Sequence, residues 1–356
     1  MIGTFLLGVL CLIKTRSLLG RLLTCCDSVI RSVTTMLRKI QARKQLSVTL
    51  KNADSPYVTP TKEDDPVLPA LFVFQGMRGS GKTYSCVQMC RHFEKRGYIQ
   101  RTFLLCPTAG ESDQKDTVYS NLKTLKDDDV CTDIRTFEKA LDHVQLRVKK
   151  DWEAYEHYKE HLSAYKKWTE GKKLTMEEQM ILENQYFLPP FKEVKPKRHM
   201  LILDDCQGTD VYTTSRAGAL NHLAIKHRHI PITICFLCQN WVGCPRALRL
   251  NATQYCIFRT GDKTQLDQIY SCFANNVTRK EFDMVYDEAT SQKHGFLYID
   301  VVPKKPHMRF RSGFNTYLVI DKDQKEIRRV RAKGEPSLRT IDEEENNSDS
   351  DAEDTR

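Results

Sequence analysis

Gly76-Met-Arg-Gly-Ser-Gly-Lys-Thr83 constrains this chain more than any other stretch, because it fits G-x-x-x-x-G-K-[ST] at every position. The preceding Leu71-Phe-Val-Phe74 is a short, continuously apolar run of strand-forming residues. The following Tyr84–Phe93 can continue as a helix with Val87, Cys90 and Phe93 on one side. A strand, a glycine-rich turn and a helix in that order make a phosphate-binding loop, whereas a solvent loop that is merely rich in glycine lacks such flanks. Glycines let the backbone wrap an anion closely, and the helix N-terminal amides point at it. Gly76, Met77, Arg78, Gly79, Ser80, Gly81, Lys82, Thr83 and Tyr84 are therefore the expected nucleotide-binding positions. Lys82 would reach the β- and γ-phosphates, and the Thr83 hydroxyl would hold Mg2+.

His199-Met-Leu-Ile-Leu203 is a buried-strand run that ends in Asp204-Asp205. After a complete phosphate loop, such an ending supplies the carboxylates that hydrolysis needs. Asp204 is placed to coordinate Mg2+ and Asp205 to activate water, a contribution of about 10²–10⁴-fold from a positioned base. Ile230–Leu237 is a further strand, after which Gln239 would emerge beside Asp205 and orient the water; a plain surface amide is the alternative. Lys226-His-Arg-His229, just before that strand, offers Arg228 as a cation for a neighbouring subunit's γ-phosphate, or else is an ordinary basic patch. Arg101–Cys106, Tyr255–Phe258 and Gly295–Asp300 supply other strands, mostly separated by helix-length polar segments. That alternation predicts an α/β fold of P-loop type, with a mainly parallel central sheet covered on both faces.

Charge narrows the partner. The net is +9, yet residues 342–356 hold eight Asp/Glu and one Arg, which leaves +16 on the rest. A body so basic suits a polyanion, nucleic acid first and an anionic membrane second, or it serves solubility alone. The tail, residues 336–356, should be disordered; Ser348 and Ser350 in it lie among acids and are candidate phosphorylation sites. Of the thirteen cysteines, Cys106, Cys235, Cys238 and Cys256 sit inside apolar runs and read as reduced core residues of an intracellular, reducing compartment. A metal site at the Cys235-x-x-Cys238 pair is the alternative, and the sequons at Asn251 and Asn276 are then chance matches.

Residues 1–50 open with an apolar run, Ile2–Ile13, too short to span a bilayer, followed by a basic amphipathic stretch in which Asp27 is the only acid. This predicts docking to a membrane surface or a partner, with a packing helix and a cleaved signal as alternatives. Residues 51–67, with Pro56, Pro60 and Pro66 among charges, read as a linker, and an ATPase domain follows over 68–335. Within it, Leu141, Val144, Val148, Trp152, Tyr155, Tyr158, Leu162 and Tyr165 recur at steps of three and four. They mark residues 136–187 as a long amphipathic helical insertion, either packed on the body or contacting DNA or another subunit.

Taken together, Gly76–Thr83, Leu201–Asp205, Arg228, Gln239, Leu248-Arg-Leu-Asn-Ala-Thr253 and His294–Asp300 resemble, in order, the motifs of the FtsK–HerA superfamily of DNA-pumping ATPases. The pattern is most similar to the genome-packaging ATPases of poxviruses, other large DNA viruses and virophage or polinton-like elements, and it covers roughly residues 68–302. The resemblance implies a RecA-like core with an additional strand, ATP and Mg2+ as cofactors, and a hexameric or similar homo-oligomeric ring around double-stranded DNA. It also implies a capsid or portal partner. A helicase or host-type pump, a nucleotide-dependent scaffold without turnover and a nucleotide kinase are the rival readings. The insertion and the apolar N-terminus fall outside the family pattern.

Overall fold

Strand pairing explains why the apolar runs are continuous. The computed structural model describes residues 58–109, 118–190, 192–207, 218–273, 277–321 and 326–331, all within one unit spanning Asp54–Arg356. The N-terminal segment, the sequon at Asn276 and the acidic tail with Ser348 and Ser350 lie outside the described residues. Ten strands form one sheet: β1 (Leu71–Gln75), β2 (Arg101–Leu105), β3 (Leu125–Cys131), β4 (His199–Leu203), β5 (Ile232–Cys238), β6 (Gln254–Phe258), β7 (Phe296–Asp300), β8 (Phe310–Ser312), β9 (Thr316–Asp321) and β10 (Glu326–Arg331). Their order is β10-β9-β8-β7-β6-β1-β5-β4-β2-β3. From β6 to β3 every pairing is parallel, and the remaining four are antiparallel. β5 lies between β1 and β4, so one additional strand separates the phosphate-loop strand from the strand that ends at Asp204.

The helices are α1 (Lys82–Lys95), α2 (Phe137–Thr169), α3 (Met176–Asn184), α4 (Ala219–Lys226), α5 (Arg246–Asn251), α6 (Lys263–Ser271) and α7 (Arg279–Ala289). Alternate strand residues face opposite layers, as a period of two requires. Phe72, Phe74, Leu104, Met200, Ile202, Cys235, Leu237 and Cys256 face α1 through Cys86, Val87, Met89, Cys90 and Phe93. Leu71, Val73, Phe103, Leu201, Leu203, Ile234, Phe236 and Ile257 face α2, α4, α5, α6 and α7. This two-sided burial is why the central strands read as unbroken apolar runs.

Two expectations change, and one alternative falls away. Gly295–Asp300 was expected within the parallel set, but β7 runs antiparallel to β6. Two helices, α6 and α7, separate these strands and return the chain to the end of the sheet it left, where a single crossover helix would take it to the other end. Residues 136–187 are not simply an inserted arm. Phe137, Leu141, Val144 and Val148 of α2 belong to the core, so its first half is the crossover helix between β3 and β4. Its second half lies outside that core cluster, held to α3 by the Lys167–Glu178 ion pair and to the residues after α3 by Trp168 against Phe187. The Cys235/Cys238 pair, finally, is split between the two faces and cannot chelate one ion.

The stretch read as a linker is docked on the body over its described part. Thr59 bridges Leu68, and buried Asp65 accepts from the Tyr98 hydroxyl at 2.8 Å and meets His92 Nε2 at 2.8 Å. Among the described residues no helix is long and apolar enough to cross a membrane.

The split of α2 has a measurable consequence. Leu141→Ala, in the core half, should lower unfolding free energy by about 2–5 kcal/mol, as large-to-small core changes do. Leu146→Ala, one turn further on a side 67% exposed, should stay within about 0.5 kcal/mol in the same denaturant titration.

Candidate active site

The phosphate loop is pinned at its start and released at its tip. Where β1 ends, the Gly76 amide donates to the Cys238 carbonyl at 3.1 Å, tying the loop to the end of β5. A Cβ on Gly76 would lie 2.7 Å from both the Phe258 Cβ and the Ser80 Oγ, so only glycine fits there. Met77, Arg78 and Gly79 are exposed, and Gly79 and Gly81 take φ of 77° and 94°, which other L-residues rarely adopt. Helix α1 begins at Lys82 with Gly81 as N-cap and no side-chain cap, so no side chain competes for its first-turn amides. The Ser80 hydroxyl is buried without a partner inside the loop. Lys82 is 7% exposed and donates to the Met77 carbonyl at 2.9 Å, a place where a phosphate oxygen can substitute. Tyr84 is half-buried in the first turn of α1.

Of the two carboxylates predicted from sequence, Asp204 meets this loop and Asp205 stands beside it in the chain. Asp204, buried at the end of β4, accepts from the Thr83 hydroxyl at 2.9 Å and from the Tyr119 hydroxyl at 2.7 Å on the same oxygen. Burial, and next the Asp204 charge, push the Tyr119 phenol well above its ordinary range, so it stays a donor. Asp205 takes φ of 51°, a left-handed turn that aspartate tolerates better than most residues. The turn sets its carboxylate between the Thr108 hydroxyl and the Gln239 amide, each 3.3 Å away. Gln239 is itself clamped, because its backbone amide donates to Gln207 Oε1 at 2.9 Å while Gln207 Nε2 donates to the Asn240 carbonyl at 3.1 Å.

Arg228 is not part of this cluster. It is exposed in the 3₁₀ turn His227–His229 that precedes β5, at the end of the sheet opposite Gln239. The seven residues of β5 separate them, more than about 20 Å at strand rise. Arg249 and Asn251 serve α5 itself: Arg249 donates to the Cys244 carbonyl at 3.0 Å and lies over Trp241, and Asn251 donates to the Ala247 carbonyl at 2.8 Å.

Sequence reasoning missed Thr108, Tyr119 and Gln207, and it named His294 only as the start of the motif His294–Asp300. Thr108 and Gln207 follow the C-terminal ends of β2 and β4, where an open α/β sheet gathers its ligands, and that signal was available. Tyr119 sits between strands with no motif around it. His294, at φ of 60°, lies over the loop, its Cβ and Nδ1 3.4 Å from where a Cβ on Gly81 would stand.

The donor set fits the groups the motifs imply. An uncapped helix start, an ammonium and an orphaned hydroxyl suit a polyphosphate, and the Thr83 hydroxyl beside the Asp204 carboxylate is the hard oxygen pair that Mg2+ prefers.

No protein-family model and no curated protein matches the chain. Among solved structures it is similar to the genome packaging NTPase B204 from Sulfolobus turreted icosahedral virus 2 in complex with ATP-gammaS, at TM-score 0.38 and 14% identity over 67% of this chain and 94% of that one. It is also similar to EssC (ATPases 2 and 3) from Geobacillus thermodenitrificans, at TM-score 0.35 and 12% identity over 57% of this chain and 34% of that one. A third is Thermomonospora curvata EccC (ATPases 2 and 3) in complex with a signal sequence peptide, at TM-score 0.32 and 12% identity over 75% and 37%.

Loop geometry gives the prediction here. Gly76→Ala must displace Phe258 or the loop itself, an overpacking cost of about 1–3 kcal/mol. Fluorescent-nucleotide titration should record at least a tenfold loss of affinity, about 1.4 kcal/mol. Far-UV circular dichroism should remain that of the parent.

Proposed function

We propose that the chain is an ATP-driven translocase of double-stranded DNA, working as a homo-oligomeric ring and packaging a viral genome. The observation that carries the hydrolytic part is the convergence of Thr83, Asp204, Asp205 and Gln239 at the C-terminal ends of adjacent parallel strands. The first turn of α1 and Lys82 bind the phosphates. Thr83 and Asp204 hold Mg2+, which supplies charge neutralisation at the transferring phosphoryl group. Asp205 accepts the proton of the attacking water, and Gln239, fixed by Gln207, orients that water. Thr108 holds the Asp205 carboxylate in its strained turn, so the base is aimed before substrate arrives.

Arg228 stands too far from its own subunit's loop to serve it, so an arginine role for it exists only between subunits. Ring assembly follows from that reading. The +16 charge on residues 1–341 favours duplex DNA as the polymer moved. The packaging role, with a capsid or portal partner, rests on the motif order Gly76–Thr83, Asp204-Asp205, Arg228 and Gln239, and hexameric stoichiometry belongs to the same resemblance. We place the protein inside the infected cell, in a reducing compartment, with the basic N-terminal segment as its contact to a membrane surface or capsid vertex. A switch that binds nucleotide without turnover is the second reading; the aimed Asp205–Gln239 pair disfavours it.

Purified chain should hydrolyse ATP faster when duplex DNA is added, while eluting from a sizing column as a multimer. Lys82→Ala should lose turnover, and Asp205→Asn should lose about 10²–10⁴-fold with nucleotide still bound. Arg228→Ala should be inactive alone, yet regain turnover when mixed with Lys82→Ala subunits that retain the arginine. Equal rates with and without DNA would sink the motor reading, and failure of the mixing rescue would sink the role in trans.

A further inference from the structure

Beneath the phosphate loop lies a second group of convergent side chains that the hydrolytic chemistry does not use. Cys86 and Cys90 stand one turn apart on α1, and Cys235 faces them from β5. Their three Sγ atoms all lie within 4.8 Å of one another, and each residue is at most 1% exposed. Met200, on β4, brings its thioether to 3.0 Å from Cys90 Sγ. Among the described residues this is the one group of three or more cysteine, histidine or carboxylate ligands close enough together to hold an ion. Cys256 faces the same layer from β6 and is outside the group.

We propose that Cys86, Cys90, Cys235 and Met200 form a buried all-sulfur site for one thiophilic d10 cation, Zn2+ before Cu+. At a metal–sulfur distance of about 2.3 Å, tetrahedral geometry places ligand sulfurs about 3.8 Å apart, a separation that the present cluster brackets. Three thiols and a thioether are soft ligands, which select such ions over the Mg2+ of the nucleotide site. Binding releases the thiol protons to solvent and leaves thiolates on the metal. With three thiolates the site carries −1 around Zn2+ and −2 around Cu+. All four residues are almost fully buried, so the smaller residual charge favours zinc.

In the metal-free cluster the three thiols differ in proton affinity. Burial drives the Cys86 and Cys235 thiols well above the ordinary range. Burial also raises Cys90, but hydrogen bonds from Cys235 and Cys86 outweigh it and bring that thiol down.

The position gives the site a role. Cys86 is three residues past Thr83, Met200 four before Asp204, and Cys235 four before Gln239. One ion would therefore bolt together the helix and the two strands that carry the hydrolytic residues. The site stands whether or not the chain moves DNA, since its readout is metal content and not turnover.

The test uses the full chain purified in reducing, chelator-free buffer, with bound metal measured by inductively coupled plasma mass spectrometry. About one equivalent of zinc is expected per chain, with loss to below about 0.1 equivalent in Cys90→Ala and Cys235→Ala and full retention in Cys256→Ala. Copper in place of zinc supports the site and corrects the ion. Should the alanine variants misfold, anaerobic titration of the reduced wild-type chain with Co2+ and with Cu+ replaces them. Saturation at one equivalent, with a thiolate-to-cobalt charge-transfer band, supports the site, and Met200→Leu should weaken it. Neither ion binding, equal loss in Cys256→Ala, or a disulfide among these cysteines overturns it.

Discussion

A carboxylate that is to meet the Thr83 hydroxyl must leave its strand at the level where the phosphate loop leaves β1, and β5 sets that level. Phe236 of β5 stands opposite Val73 of β1 on one side and Leu203 of β4 on the other. Three residues past Val73 is Gly76, whose amide is held by Cys238, and one residue past Leu203 is Asp204. A slip of one residue in either pairing would set Asp204 on the opposite face relative to the loop. Burial on both sides forbids the slip, because it would also exchange which side chains meet α1 and which meet α2. The same apolar packing that stabilises the sheet thus fixes the 2.9 Å contact between Thr83 and Asp204.

Several polar groups at the C-terminal ends of these strands are bonded in pairs that cross between elements. Gln75, fully buried at the end of β1, donates to Gln265 of α6 at 2.6 Å, and the same Gln265 oxygen accepts from the Trp241 amide at 2.8 Å. Gln207 performs the equivalent service for Gln239 and Asn240. Each amide side chain closes a backbone gap left where a strand ends, so the loops after β1, β4 and β5 are held by specific bonds. That is what lets Asp205 keep a left-handed backbone without a glycine. Its cost of about 1–3 kcal/mol is offset by neighbours that over-determine the turn.

The legible part of this architecture was the part encoded locally. Leu71–Phe74, His199–Leu203 and Ile230–Leu237 declare central strands because both of their faces are buried, and Gly76–Thr83 declares the loop because its dihedral angles admit few residues. β3 was invisible for the opposite reason. Leu125-Lys-Asp-Asp-Asp-Val-Cys131 is an edge strand with Lys126, Asp127 and Asp128 in solvent, and its one buried acid, Asp129, is held by Arg101 through two hydrogen bonds. Strands β8 to β10 likewise lie at the other edge, where charge is tolerated and apolar runs are short. Tyr119 reaches Asp204 across 85 residues, and sulfur from α1 reaches β5 and β4 across more than a hundred. Contacts of that span have no period or motif to announce them, and only the sheet order creates them.

The strand that aligns the site also restricts how one subunit can signal to the next. β5 is bonded on both sides and buried along its whole length, with Gln239 just past one end and Arg228 just before the other. A strand so held cannot slide by itself, because shifting it would break two ladders and invert two packed faces. Were Gln239 to sense the phosphate, its displacement would reach Arg228 only by moving the sheet as a body, together with α1 and α2 packed on it. Were Arg228 to serve a neighbour's nucleotide, communication around a ring would take the form of rigid rotation of whole domains against one another. Local rearrangement of a loop would not suffice.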